Sequence, residues 1–296
     1  MSKAVIQWSV VLLKFCAVGG AGILGFVGLS EFVGGEKKRV NTIAIVIALV
    51  LLAAAACAAF VRLGKPASIM SVARNISSGT PVSLEFLAFV ACVIVAVVYL
   101  FVTMRESSTK KALGIAAMIV AVAVGFTGGY SHQAMVGMTA WHSPAVSVSF
   151  LLSALVPGGF IYLALVALFG ANNEGGSEEG DDSVDSSVAQ TVDDSTRKMT
   201  LVLVGLSLLS TVALIANGLM VPLGSATVLY WILVSLVGGA VPLASAALLL
   251  ARPLLAWIYL GAGGALVGAF ALRATIWLAL NAGLSKTLES AAIIIT

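Results

Sequence analysis

Apolar residues in this chain come as long, nearly uninterrupted runs, with none of the alternation of a half-buried strand. The runs are Val5 to Ser30, Val40 to Leu63, Val82 to Met104, Ala112 to Gly129, Ala145 to Phe169, Met199 to Met220, Val228 to Ala251 and Pro253 to Asn281. A helix needs about 20 apolar residues to cross a bilayer. The pattern therefore predicts an all-α, polytopic integral membrane protein, a bundle of about eight transmembrane helices. Lys3 precedes a first run longer than the apolar core of a signal peptide, so that run is expected to stay as a span.

The polar connections set the organisation. Glu31 to Arg39 forms a short loop with Lys37-Lys38-Arg39. The connection after the second run is punctuated by Gly64, Pro66, Gly79 and Pro81, with room for a short interfacial helix around Ala67 to Asn75. Arg105, Lys110 and Lys111 mark the next loop, and Gly129 to Pro144 is a loop with Tyr130, His132, Trp141 and His142. Ala171 to Lys198 sets eight acids against Arg197 and Lys198 and reads as a disordered, solvated linker. One membrane domain results. Residues 1–170 hold helices one to five with the 64–81 loop, 171–198 is the acidic linker, and 199–296 holds helices six to eight and a tail.

Composition agrees. Hydrophobic residues make up 60% and charged residues 10% of the chain, against about 25% charged in a soluble domain. Lipid is the expected partner of the surface. A net charge of +3 without a basic stripe gives no reason to expect nucleic acid. Cys16, Cys57 and Cys92 lie inside apolar runs without C-x-x-C spacing, so neither a disulfide nor a metal in this chain is expected. With no pair of intramembrane histidines, no haem is expected. Gly20-Ala21-Gly22-Ile23-Leu24-Gly25 fits G-x-G-x-x-G, yet no strand precedes it. Small residues that let helices approach closely explain it better.

Orientation follows from loop Lys and Arg. Lys37, Lys38, Arg39, Arg105, Lys110, Lys111, Arg197, Lys198 and Arg252 share one side, and Lys3, Arg62, Lys65, Arg74 and Lys286 share the other. The excess places both termini outside and the linker in the cytoplasm of an inner membrane.

Helical rise gives depth. Glu85, Arg62, Arg273 and Lys14 all fall toward the outer ends of their spans, on the side where the Tyr130–His142 segment opens. Ionisable groups inside a bilayer usually face a bundle interior or a wet cavity, so a shared outer pocket is expected, with Glu85 functional or paired to Arg62. Plainer readings exist. Lys14 and Arg273 can snorkel, Arg62 and Lys65 can meet lipid phosphates, and Trp8 and Trp141 can belong to an interfacial belt. A carboxylate beside cations in an apolar slot suits a quinol, which needs a proton acceptor at one hydroxyl and donors for the other oxygen.

The segment Arg62-Leu63-Gly64-Lys65-Pro66, followed by Ala67 through Asn75, Ser83 and Glu85, resembles the His-Leu-Gly-Ser-Pro region of the dimethyl sulfoxide reductase membrane anchor family. The polysulfide reductase membrane subunit is a more distant likeness. Trp8, Cys16 and Gly19-Gly20, Trp141, and Arg273 with Trp277 add lesser matches. The resemblance implies a membrane anchor in anaerobic electron transport that oxidises menaquinol. Electrons would pass to an iron–sulfur subunit and from it to a molybdopterin catalytic subunit. The family's acidic residue at the start of its third span matches Glu85, the expected proton acceptor with His132 or His142 as alternatives; the quinol site expected from depth and resemblance together adds Arg62, Lys65, Arg74, Tyr130, Trp141, His142, Arg273 and Lys14. One position departs: the family histidine is Arg62 here, and an arginine cannot accept a proton at neutral pH. A quinol-oxidising subunit, a non-catalytic anchor whose quinol site has decayed, and a small-solute secondary transporter all remain open on sequence alone.

Overall fold

The computed structural model describes residues 8–33, 37–63, 79–105, 109–134, 143–170, 194–221 and 223–295, with Arg62, Leu63, Ser225, Trp277 and 279–295 described by backbone alone. Eight helices in these residues are long and apolar enough to cross a membrane. They are α1 (Trp8–Val33), α2 (Lys38–Leu63), α3 (Pro81–Arg105), α4 (Lys110–Gln133), α5 (Pro144–Phe169), α6 (Asp194–Met220), α7 (Thr227–Ala251) and α8 (Leu255–Ile295). The all-α membrane bundle expected from the apolar runs is the fold observed.

Two helices form its axis. The spanning windows of α1 and α5 are 72% and 67% buried, against 28% for α2 and α3. Around α1 pack α2, α4 and α5, while α5 continues the bundle through α6 and α8. Glycine makes the α1–α5 contact possible. A side chain on Gly22 would fall on the carbonyl of Ala154, and one on Gly158 would fall on the backbone of Gly22. The glycine-rich run of α1 thus serves close helix approach, as van der Waals packing in lipid requires. Large side chains such as Val50, Ile119 and Leu219 lie on the bundle exterior.

Helix starts near the site have local causes. Gly79 takes φ 63°, a left-handed turn that glycine adopts without steric cost. Thr80 then caps α3: its Oγ1 accepts from the Ser83 amide at 3.3 Å, and Pro81 holds the first helical position. Ser143 caps α5 by accepting from the Ala145 amide at 3.2 Å, again just before a proline. In α7, residues Tyr230–Ala240 are π-helical.

Four boundaries differ most from expectation. Helix α8 runs on to Ile295, past the expected end at Asn281 and through the expected tail. The first helix runs through Glu31 to Val33, since Phe32 and Val33 extend its apolar pattern. Helix α4 continues through Tyr130, Ser131 and His132 to Gln133, where Ser147 Oγ donates to Gln133 Oε1 at 2.7 Å and ties the end to α5. Helix α6 begins at Asp194 instead of Met199, with Lys198 bridging back to Asp194 one turn earlier. The linker from 171 to 193 lies outside the described residues, as does the suggested interfacial helix at 67–75.

Candidate quinol site at the Glu85 end

Lys14 is the centre of the polar architecture. It lies two turns into α1 and is 5% exposed. Its ammonium faces α3 and α4. Nζ lies 3.2 Å from both carboxylate oxygens of Glu85 and donates to Gly128 O at 2.9 Å and to Ser131 Oγ at 2.7 Å. His132 Nδ1 is 3.5 Å away. Glu85 keeps a quarter of its side chain exposed, so this ion pair is buried on the lysine side and more open on the carboxylate side. The capped start of α3 sets Glu85 one turn inside the helix, and the helical continuation of α4 carries Ser131 and His132 to the same level.

A second buried cation lies across one aromatic ring. The His132 imidazole stands edge-on to Phe150 with centroids 5.3 Å apart, and the Arg273 guanidinium sits 5.0 Å from the centroid of Phe150. Arg273 is 2% exposed. It donates to Ala269 O within its own helix and to Ser153 Oγ at 3.2 Å, and its Nε has no partner among the described residues. Among the described residues no carboxylate pairs with it. The ring that receives the guanidinium lies on α5 two turns before Pro157, which has no N–H for the helix ladder. A buried cation compensated by a carbonyl, a hydroxyl and a ring face still has donor capacity for an oxygen ligand.

The predicted site residues therefore separate. Lys14 and Glu85 come into direct contact, and Arg273 joins them through Phe150 and His132. Snorkelling does not describe Lys14 or Arg273, since both are packed inward. Glu85 pairs with Lys14; the expected pairing with Arg62 falls on a side chain outside the described residues, with the Arg62 backbone in the last turn of α2. Tyr130 is 36% exposed and stacked on Phe126 at 6.3 Å, on the outward face of α4, because its neighbours Ser131 and His132 take the inward positions. Lys65, Arg74, Trp141 and His142 lie outside the described residues. The sequence reading left Ser131, Ser153 and the Gly128 carbonyl out of the set and kept His132 with a loop. The i, i+3 and i+4 spacing of Gly128, Ser131 and His132 is the signal that would have put them on one face.

The opposite end of the bundle has its own network. Glu31 Oε1 accepts from Tyr99 Oη at 3.1 Å and from Asn41 Nδ2 at 3.2 Å, and Asn41 Oδ1 accepts from Tyr162 Oη at 2.7 Å. It ties α1, α2, α3 and α5 together some 17 positions along α1 from Lys14, about 25 Å at helical rise.

The chain matches the family described as Polysulphide reductase, NrfD over residues 1–283. That span includes helices α1 to α7, the apolar crossing part of α8 (Leu255–Ile276) and every residue of the site. The chain belongs to the NrfD family. No curated protein matches it. NrfD proteins are quinone-interacting membrane subunits of molybdoenzyme complexes, and they partner with iron–sulfur and molybdopterin oxidoreductase subunits. This NrfD protein is accordingly a multi-pass membrane subunit of an oxidoreductase-complex family. Within that frame the arrangement offers a partly exposed carboxylate, an imidazole beside it, and two cations and two hydroxyls as donors, all inside apolar helices.

Proposed function

We propose that this NrfD protein is the menaquinol-oxidising anchor of a molybdopterin oxidoreductase of the dimethyl sulfoxide reductase type. The observation that carries the reading is the Lys14–Glu85 ion pair, held beside His132 and Ser131 within the span of the membrane. Charges at that depth are costly and recur where a pathway or ligand needs them.

Oxidation of a menaquinol releases two protons and two electrons. Glu85 takes one hydroxyl proton, because its carboxylate is the acceptor held beside Lys14, Ser131 and His132. His132 is the second group able to take a proton. Lys14 and Arg273 can only donate; Lys14 holds the Glu85 carboxylate in place, and Arg273 hydrogen-bonds the opposite quinone oxygen. Arg62, at the position of the family histidine, can donate but not accept, which is why proton transfer falls to Glu85. Electrons leave to the iron–sulfur partner, whose molybdopterin neighbour sets the terminal acceptor. With the basic ends of the helices in the cytoplasm, the site and the docked iron–sulfur subunit share the outer face of the inner membrane. Lys65 and Arg74 suit an acidic docking surface there.

The test is made on the purified complex. Iron–sulfur and molybdopterin subunits should co-purify with this chain, and Glu85→Gln should cut menaquinol-driven turnover at least tenfold while the complex stays assembled. Full turnover in Glu85→Gln would leave a passive anchor. Absence of both subunits, with solute flux in vesicles, would leave a transporter.

A further inference from the structure

The other end of the bundle, where Lys37, Arg105, Arg197 and Arg252 lie, carries a feature that the quinol chemistry does not use. Helices α5, α6 and α8 and the end of α7 enclose a cleft of about 70 Å³. Its floor is apolar and buried: Leu163 and Val166 from α5, Leu249 from α7 and Ile258 from α8. Its mouth is polar. Thr196 and Arg197 on the first turn of α6 line it, and Arg197 is exposed and makes no ion pair among the described residues. Lys37, just before α2, reaches across to donate to Thr196 Oγ1 at 3.4 Å, and Arg252 directly precedes the lining Pro253. The acid on that turn, Asp194, is already bridged by Lys198.

We propose that this cleft binds an anionic phospholipid, with its phosphodiester at Arg197 and Thr196 and one acyl chain along Leu163, Val166, Leu249 and Ile258. Charge favours an anion, since Arg197 lines the mouth and Lys37 reaches its Thr196, with Arg252 next in sequence to the lining Pro253, while the one nearby described acid is paired. Basic pockets between transmembrane helices hold anionic headgroups in this way. Size favours a chain over a ring. A cavity of about 150 Å³ is what accommodates a single benzene, and this cleft has less than half of that, enough for a few methylenes. Among the described residues no carboxylate or imidazole lines the cleft to take a proton, so this lining suits a lipid better than a second quinol. The proposal is independent of the quinol reading at the far end.

The experiment uses the full chain, with any subunits that travel with it, purified in detergent, stripped of lipid and titrated with dioleoyl phosphatidylglycerol, dioleoyl phosphatidylethanolamine or inorganic phosphate. Native mass spectrometry reads bound lipid and a thermal melt reads stabilisation. Phosphatidylglycerol should remain bound and raise the melting midpoint, and the other two should not. Arg197→Gln, at an exposed position, should reduce retained phosphatidylglycerol at least fivefold with the lipid-free midpoint unchanged, and Ala167→Phe should do the same by filling the cleft. Equal retention of the zwitterionic lipid would overturn the proposal. So would a midpoint rise from phosphate alone, which marks a bare anion site, or wild-type retention in Arg197→Gln, which carries the test however Ala167→Phe folds.

Discussion

Replacing Lys14 by methionine tests whether the ion pair holds the site together. The substitution keeps the stem and removes the ammonium, so the Glu85 carboxylate loses its cation and Ser131 Oγ loses a donor. Gly128 O keeps one partner, because Ser131 Oγ also donates to it at 3.1 Å. Breaking a buried ion pair costs about 3–5 kcal/mol. Glu85 keeps a quarter of its side chain exposed, so Lys14→Met should fall lower, at about 2–4 kcal/mol. Glu85→Gln should cost about 1 kcal/mol, since its amide oxygen can still accept from Lys14. The double variant removes both charges and should cost less than the two single changes added together, with a coupling energy of about 2 kcal/mol. Reversible unfolding in mixed detergent micelles measures all three. Additivity within about 0.5 kcal/mol would refute the pair, and no loss at all in Lys14→Met would mean that the side chain reaches the interface instead.

Other parts of the account are open to separate tests. Arg273→Met should leave stability within about 1 kcal/mol, because a buried cation without a carboxylate gives little net stabilisation. The same variant should raise the KM for menaquinol tenfold or more, the loss of a charged hydrogen bond worth about 1.5–3 kcal/mol; lost stability with an unchanged KM would make the residue structural. Gly22→Val should destabilise by about 3 kcal/mol or more, since the new atoms meet the backbone of α5 and not a movable side chain, and a normal melt would contradict the close approach. Lys65→Glu with Arg74→Glu should weaken co-purification of the iron–sulfur subunit; unchanged recovery would move the docking face elsewhere.

The eight helices were legible because each apolar run is long enough to span on its own, whatever it packs against. Depth along a helix was legible too, which is why Lys14, Glu85 and Arg273 could be placed toward one end from sequence position. Partners were not. Glu85 meets Lys14 because α1 and α3 converge on α4, a tertiary fact that spacing cannot supply. The end of α4 was misjudged because Gly128-Gly129 looks like a helix stop, whereas here the glycines permit contact: a side chain on Gly129 would meet Ser147 and Phe150 of α5. Glu31 was assigned to a loop for a related reason, so its network with Asn41, Tyr99 and Tyr162 could not be anticipated.

The central claim is that a quinol binds between α1, α3, α4 and α8 at the Glu85 end, and photo-crosslinking of an azido-menaquinone to the purified complex tests it most directly. The account predicts adducts on peptides that contain Lys14, Glu85, His132 or Arg273, competed away by excess menaquinol and reduced at least tenfold by Glu85→Gln. Adducts confined to the Arg197 end, or labelling that Glu85→Gln leaves unchanged, would contradict it.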